Sequence, residues 1–158
     1  AIAISLMSQK KVSKLEFKKF QPSGNLGKKL RTVEDLMLVK DKIPFINENQ
    51  TLKNAITLIN SKKLGVVIVR NKKKKTTGIF TDGDIKRTIQ KTQNVNNLII
   101  KSFMTKNPIS VDKDILAANA MAIMNENKIT SLCVHSRLSK GKTIGILHIH
   151  NIIDANIY

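Results

Sequence analysis

The sequence has little of several residue types on which small proteins often depend. Its 158 residues include no tryptophan, one tyrosine and one cysteine, Cys133, and aromatic residues make up only 4%. One cysteine excludes an internal disulfide, and the scarcity of aromatic residues requires a core of aliphatic side chains. No apolar run approaches the roughly 20 residues of a membrane-spanning helix, and no signal peptide is visible. These absences predict a cytoplasmic protein with an aliphatic core.

Acidic residues are also scarce. The chain has 28 lysine and arginine residues against 11 aspartate and glutamate residues, a net charge of +17. Such a charge suits nucleic acid, an acidic membrane surface or anionic small molecules. However, lysines 72–75 lie between two predicted strands, where a solvated hairpin tip is expected, and no stacking aromatic residues accompany them. The pattern favours a solvated surface over a nucleic-acid interface, and we expect no membrane partner.

The chain contains an internal repeat. Segment 55–69 is similar to segment 120–134, and segment 78–89 is similar to segment 145–156. Each copy predicts the order strand, helix, strand, strand, helix from its apolar spacing. One copy has too few apolar side chains for a core of its own. We therefore expect an α+β fold in which two β-α-β-β-α units pack together with pseudo-two-fold symmetry.

A polar corner lies between the last predicted strand and the last helix of the first copy. The strand Gly78-Ile79-Phe80 runs directly into Thr81, and Asp84 follows three residues later. A helix N-terminus favours a phosphate, and a carboxylate one turn away can accept two hydrogen bonds from a ribose diol. The same two residue types are also common helix caps. The spacing alone leaves both a nucleotide site and a helix cap open.

This corner resembles the end of the CBS domain, named for cystathionine β-synthase. Residues 78–84 follow that family's pattern of glycine, two apolar residues, threonine or serine, two variable residues and aspartate. The resemblance implies tandem CBS domains over residues 37–93 and 101–158, with two clefts. It further implies that Thr81 contacts a phosphate and that Asp84 contacts a ribose. A base-binding sleeve is implied from two strands, at Lys42, Ile43, Pro44, Gly65, Val66 and Val67.

The second copy departs from this pattern. His148 replaces the threonine, and Asn151 replaces the aspartate. His148 and His150 are two residues apart at an apparent strand end and can share a face, but zinc needs a further ligand and none is apparent. We therefore expect no metal, and we expect His148, His150 and Asn151 to line a second, weaker ligand site. His135, at another strand end, has no predicted partner.

Two further stretches resemble bacterial arabinose 5-phosphate isomerases, including their capsule-expression homologues. In that family a sugar isomerase (SIS) domain precedes the CBS pair, with a junction of the form Phe-x-x-His-Pro-Gly-Gly-x-Leu-Gly. Residues 20–30 follow this junction, and Leu147, His148 and His150 match the family's Leu-His-x-His-Asp ending, in which Asn151 replaces the aspartate. The junction histidine, thought to be catalytic in the family, is Gln21 here. A glutamine amide does not titrate near neutral pH and cannot serve as a general base.

The resemblance implies that residues 1–31 are the C-terminal helix and linker of a truncated SIS domain. The chain also begins without methionine, as expected for part of a longer protein. No nucleophile–base pair is apparent, so we expect this chain itself not to be catalytic. The longer protein would interconvert ribulose 5-phosphate and arabinose 5-phosphate, the precursor of Kdo in lipopolysaccharide or capsule.

The same resemblance implies a regulatory role for the chain. No cofactor is expected, and the implied ligand is an adenine or cytidine nucleotide or the sugar nucleotide CMP-Kdo. The implied partners are the upstream SIS domain and a second copy that associates through the CBS pair. The alternative is a CBS pair without a ligand, kept as a dimerisation module.

Overall fold

A computed structural model describes residues 27–157. Most of the predicted SIS helix and linker, including Gln21, lies outside the described residues. The helices and strands are α1 (Val33–Leu36), β1 (Phe45–Asn47), α2 (Leu52–Lys62), β2 (Val66–Arg70), β3 (Thr76–Thr81), α3 (Asp82–Lys91), β4 (Thr105–Lys106), β5 (Ser110–Asp112), α4 (Ala117–Asn127), β6 (Ser131–His135), β7 (Gly145–His148) and α5 (Ile149–Asp154). No helix among residues 27–157 is both long and apolar enough to cross a bilayer.

The two predicted β-α-β-β-α units are present. In the first unit β1 pairs in parallel with β2, and β2 pairs antiparallel with β3. In the second unit β5, β6 and β7 pair in the same way. Helix α2 begins after Thr51, whose hydroxyl accepts a hydrogen bond of 3.2 Å from the Asn54 amide. The repeat in the sequence is therefore a repeat in the fold.

Strand β2, in the first sheet, is buried on both faces. Val67 points into a core of first-unit residues beneath the helices. Val66 and Ile68 point the other way and pack against Cys133 and Ile146 of the second unit. Successive side chains of a strand alternate between faces, so one short apolar strand serves both cores. The expectation that the two units cover each other's sheets is confirmed.

The segment that precedes each unit in the sequence packs against the core of the other unit. We call residues 33–38 and 95–106 the crossover segments. Val33 is fully buried in the second unit's core, and Leu38 exchanges backbone hydrogen bonds of 2.9 and 3.0 Å with Ile146. Ile100 is fully buried in the first unit's core, and β4 pairs with β3. The core of each unit is therefore completed by the segment that precedes the other unit in the sequence.

Two glycines allow the crossover segments to approach the sheets. A Cβ atom at Gly78 would lie 2.7 Å from the backbone oxygen of Thr105 and 2.7 Å from the Met104 sulfur. A Cβ atom at Gly145 would collide with the Met37 sulfur and would lie 3.1 Å from the Leu38 oxygen. Glycine is required at both positions because another chain segment occupies the space of a side chain.

Candidate ligand-binding site

A cavity of about 480 Å³ lies between the two units, where α3 and α5 begin. We call it the central cavity. Most of its walls come in equivalent pairs from the two units: Lys63 and Lys128, Leu64 and Ile129, Gly65 and Thr130, Val66 and Ser131, Thr81 and His148, and Gly83 and His150. Because the pairs follow the repeat in the sequence, the cavity lies on the pseudo-two-fold axis. Residues from both predicted sites therefore share one space.

The central cavity has more basic than acidic side chains in its lining, with Lys63 and Lys128 against Asp82. Lys63 and Lys128 follow α2 and α4 with φ of 59° and 54°, in the left-handed region where glycine usually ends a helix. A side chain in this conformation costs roughly 1–2 kcal/mol. The buried hydroxyl of Ser131 has no hydrogen-bond partner within the described part of the chain. Two ammonium groups and a free hydroxyl suit an anion with oxygen atoms.

Thr81 and Asp84 form a helix cap at the edge of this cavity. The Thr81 hydroxyl accepts a 3.2 Å hydrogen bond from the Asp84 amide, and the Asp84 carboxylate accepts a 2.9 Å hydrogen bond from the Thr81 amide. This reciprocal arrangement is a capping box. Thr81 lines the cavity, whereas Asp84 is only 5% exposed and lies behind the cavity's described wall. The capping role of both residues is confirmed.

The Asp84 carboxylate also has partners that a simple cap does not need. The Thr105 hydroxyl in the crossover segment donates to both carboxylate oxygens, at 3.1 and 3.2 Å. The Thr81 hydroxyl donates at 3.1 Å, and Arg87 Nη2 donates at 2.5 Å. With the Thr81 amide these make four donors, and a carboxylate has about four acceptor positions. A ligand hydroxyl can reach Asp84 only by displacing one of them.

Arg87 is the donor most open to displacement. Its side chain is 62% exposed, whereas the Asp84 side chain is 6% exposed. The other three donors belong to the backbone of the cap or to hydroxyls held by β3 and β4. Arg87 therefore shields the Asp84 carboxylate from solvent.

The second unit has a different cap at the equivalent position. The Asn151 side-chain oxygen accepts a 2.8 Å hydrogen bond from the His148 amide, and His148 Nδ1 accepts a 3.2 Å hydrogen bond from the His150 amide. The two imidazole rings stack with their centres 4.9 Å apart. Burial lowers the pKa of His148, and the nearby His150 lowers it further. The His148 ring is thus held neutral, with Nδ1 as an acceptor.

The structure brings only part of the predicted base-binding sleeve to the central cavity. Gly65, with φ of 72°, and Val66 line it. The Val67 side chain points to the opposite face of the sheet. The remaining three residues lie outside the cavity's described wall: Lys42 in an exposed turn, and Ile43 and Pro44 buried.

An apolar hollow of about 130 Å³ adjoins the central cavity. The two spaces share Val66, Ile79, Ile129 and Ser131. Thr105 and the apolar segment 108–109, which precedes β5, also line the hollow. Residues of both units therefore line the hollow.

Sequence reasoning missed several residues at this site, among them Lys63, Lys128, Arg87 and Thr105. Lys63 and Lys128 stand at equivalent positions of the repeat, and that match was the available signal. Arg87 lies three residues after Asp84 in a predicted helix, a spacing at which side chains meet. Thr105 gave no signal, because only the crossover packing brings it near.

Metal and thiol chemistry have no apparent centre among the described residues. No group of three or more histidine, cysteine, aspartate or glutamate residues within 27–157 is placed to hold a metal ion. Burial raises the pKa of the Cys133 thiol to about 11, so the thiol is protonated at neutral pH. Cys133 is a small buried side chain.

Comparison with known sequences agrees with the repeat. The CBS domain family matches residues 33–91 and 100–158. Arabinose 5-phosphate isomerase KdsD of Salmonella typhimurium is 34% identical over 158 residues, which cover 99% of this chain and 47% of that protein. KdsD of Escherichia coli K12 is 32% identical over the same shares of the two chains. The chain spans about half the length of the curated relatives it matches.

Solved structures share the fold. The CBS-pair protein CBSX2 of Arabidopsis thaliana, in its complex with AMP, superposes with a TM-score of 0.67 at 24% identity, covering 80% of this chain and 96% of that chain. The CBS-domain protein ATU1752 of Agrobacterium tumefaciens gives a TM-score of 0.71 at 20% identity, covering 81% and 95%. The two units and their packing match the arrangement of these proteins.

Proposed function

The chain belongs to the CBS domain family and has the fold of a tandem CBS pair, and on that premise we propose that it is the nucleotide-sensing, regulatory region of a longer arabinose 5-phosphate isomerase-like protein. The identity to KdsD extends over the whole chain, which supports the relationship. The isomerase chemistry would belong to an SIS domain upstream. The Kdo pathway and a cytoplasmic location follow from the same proposal.

The central cavity is the observation that carries the proposal. It is large enough for the phosphate and sugar of a nucleotide, and both units contribute equivalent residues to it. We place the phosphate between Lys63 and Lys128, where the free Ser131 hydroxyl can donate to it. The helix that begins after Thr81 is favourable for the same anion, because its first backbone amides carry partial positive charge.

The nucleoside would extend from this phosphate toward the first unit's cap. The apolar hollow lined by Val66, Ile79 and Ile129 can take the base. The ribose diol would meet Asp84 in exchange for Arg87, whose side chain is mostly in solvent. AMP in CBSX2 supports an adenine nucleotide, and CMP or CMP-Kdo is the cytidine candidate.

The second unit would form the weaker site. An asparagine amide has one acceptor oxygen, and that of Asn151 already accepts from the His148 amide. It offers no charged acceptor to a ribose. Hydrogen bonds to charged groups contribute about 1.5–3 kcal/mol, so the second site should bind roughly ten- to a hundredfold more weakly.

A thermal-shift screen followed by calorimetry tests the proposal. We expect AMP, ATP, CMP or CMP-Kdo to raise the melting temperature, because a ligand at 100 times its Kd stabilises the folded state by about 2.7 kcal/mol. Replacing Lys63 and Lys128 together by glutamine should abolish the shift.

The matched control is the double variant Lys73→Gln and Lys75→Gln, on the exposed β2–β3 hairpin. It removes the same charge far from the central cavity and should bind like the wild type. Equal losses of ligand binding in both double variants would mean that the overall charge of the chain, and not the central cavity, accounts for the binding. A chain that binds none of these compounds at millimolar concentration would instead be a dimerisation module.

A further inference from the structure

A second cavity, of about 380 Å³, lies at another part of the boundary between the units. We call it the hairpin cavity, because the β6–β7 hairpin forms one wall. The start of β3, the lead-in to β5 and the end of β6 form the others. The hairpin cavity shares no lining residue with the central cavity, and it borders the apolar hollow at Asn107, Pro108 and Cys133. Its cationic side, at Lys140 and Lys142, belongs to neither of those two spaces.

Hydroxyl groups in the hairpin cavity are already held in place. The Thr76 and Thr143 hydroxyls are 2.6 Å apart and join the two units. In such a pair one hydroxyl donates to the other, and the Thr143 hydroxyl is also hydrogen-bonded to the Cys133 thiol. The Thr76 amide also donates to the Gly141 oxygen at 2.8 Å, which fixes the hairpin against β3. The site is preorganised on both sides.

The His135 ring is fixed in the same way. Its Nδ1 atom lies 2.6 Å from the Ser110 hydroxyl on the neighbouring strand. This contact sets the orientation of the ring and leaves Nε2 available to a ligand. The structure thus supplies the partner that the sequence did not reveal. Asn107, also in the wall, adds an amide that can donate and accept.

The rim of the hairpin cavity is positive. Lys140 and Lys142 are exposed and line it. Among residues 27–157, neither has a carboxylate within ion-pair distance. The described lining contains no aspartate or glutamate, so the cavity is suited to an anion and not to a cation.

We propose that the hairpin cavity binds a small phosphorylated polyol, of the class of sugar phosphates. Lys140 and Lys142 would hold the phosphate. The hydroxyls of Thr76, Thr143 and Ser110 match a ligand whose own surface is rich in hydroxyls. This site goes beyond the proposed nucleotide site, and either site can exist without the other.

The three histidines of the chain report separately on the two cavities. His135 lines the hairpin cavity, and His148 and His150 line the central cavity. The experiment follows the imidazole resonances of the labelled full-length chain by NMR during titration with ribose 5-phosphate. We expect the His135 resonances to shift saturably while those of His148 and His150 stay in place. AMP should give the opposite pattern.

Variants and reference compounds sharpen this test. The double variant Lys140→Gln and Lys142→Gln should weaken ribose 5-phosphate binding at least tenfold, whereas Lys73→Gln with Lys75→Gln, on the equivalent hairpin of the first unit, should not. Thr143→Val should also weaken it. Ribose and inorganic phosphate alone should each bind at least tenfold more weakly than the joined compound.

Competition decides whether the hairpin cavity is an independent site. We expect ribose 5-phosphate to bind equally well when the chain is saturated with AMP. If AMP blocks it, or if ribose 5-phosphate shifts His148 and His150, the hairpin cavity is an extension of the nucleotide site and the proposal is wrong. No shift of His135 at millimolar ribose 5-phosphate would also overturn it. If AMP does not bind but His135 responds, only the nucleotide proposal fails.

Discussion

Replacing Arg87 by glutamine should strengthen nucleotide binding. In the free protein Arg87 donates to the Asp84 carboxylate that we assign to the ribose, so binding must first break this ion pair. A hydrogen bond to a charged group contributes about 1.5–3 kcal/mol when both partners are shielded, but exposed ion pairs contribute about 0.2–1 kcal/mol. Because the Arg87 side chain is 62% exposed, we expect about 0.5–1 kcal/mol. The Kd for AMP should therefore fall roughly two- to fivefold.

Calorimetric titration of the wild type, Arg87→Gln and Asp84→Asn with AMP measures this effect. Arg87→Gln should bind more tightly and melt slightly lower, since it loses the ion pair. Asp84→Asn should lose most of its binding, because the amide replaces a charged acceptor by one oxygen and a donor. Weaker binding by Arg87→Gln would mean that Arg87 contacts the ligand itself. Unchanged binding by Asp84→Asn would leave Asp84 as a helix cap alone.

Three further predictions concern the crossover segments and the second cap. Gly78→Ala should lower the free energy of unfolding by about 1–3 kcal/mol, or the melting temperature by roughly 3–9 °C. The loss should exceed that of Gly145→Ala, because a Cβ at residue 78 lies 2.7 Å from a backbone oxygen and a Cβ at residue 145 lies 3.1 Å from one. Equal melting temperatures of the two variants would contradict this. A fragment of residues 39–106 should show a more cooperative melt by circular dichroism than residues 39–93, which lack the segment that fills their core, and similar broad melts would count against that role. The lowered pKa of His148 means that the unfolded chain takes up its proton first, so stability should fall as pH drops below about 6.5. His148→Gln should flatten that part of a melting-temperature profile, and an unaltered slope would assign it to other groups.

Local sequence was sufficient for the units and their caps. The continuous apolar run of β2 and the threonine before α3 determine structure through neighbouring residues, and both elements were predicted. The Arg87–Asp84 pair was also within reach, because helix geometry brings side chains three residues apart into contact. Thr81 and Asp84 were predicted with two roles, and the structure confirms the cap while the ribose contact stays a prediction.

Packing between distant segments was not predictable in the same way. The interpretation of segment 42–44 as a base-binding sleeve beside Thr81 assumed that the segment preceding each unit packs against that same unit. The crossover instead brings Thr105 beside the first unit's cap. Thr105 and the segment 108–109 line the same apolar hollow. No local sequence pattern distinguishes a preceding segment that packs against its own unit from one that packs against the other unit.

The crossover also sets the order in which a growing chain can fold. Val33 leaves the ribosome more than a hundred residues before Leu147, with which it shares a core. At 5–20 residues per second, this partner strand follows after roughly 5–20 s. During that interval the first crossover segment has no native surface to cover, while the first unit can close as soon as Ile100 emerges. Folding during synthesis should therefore begin in the middle of the described chain and finish by joining its two ends.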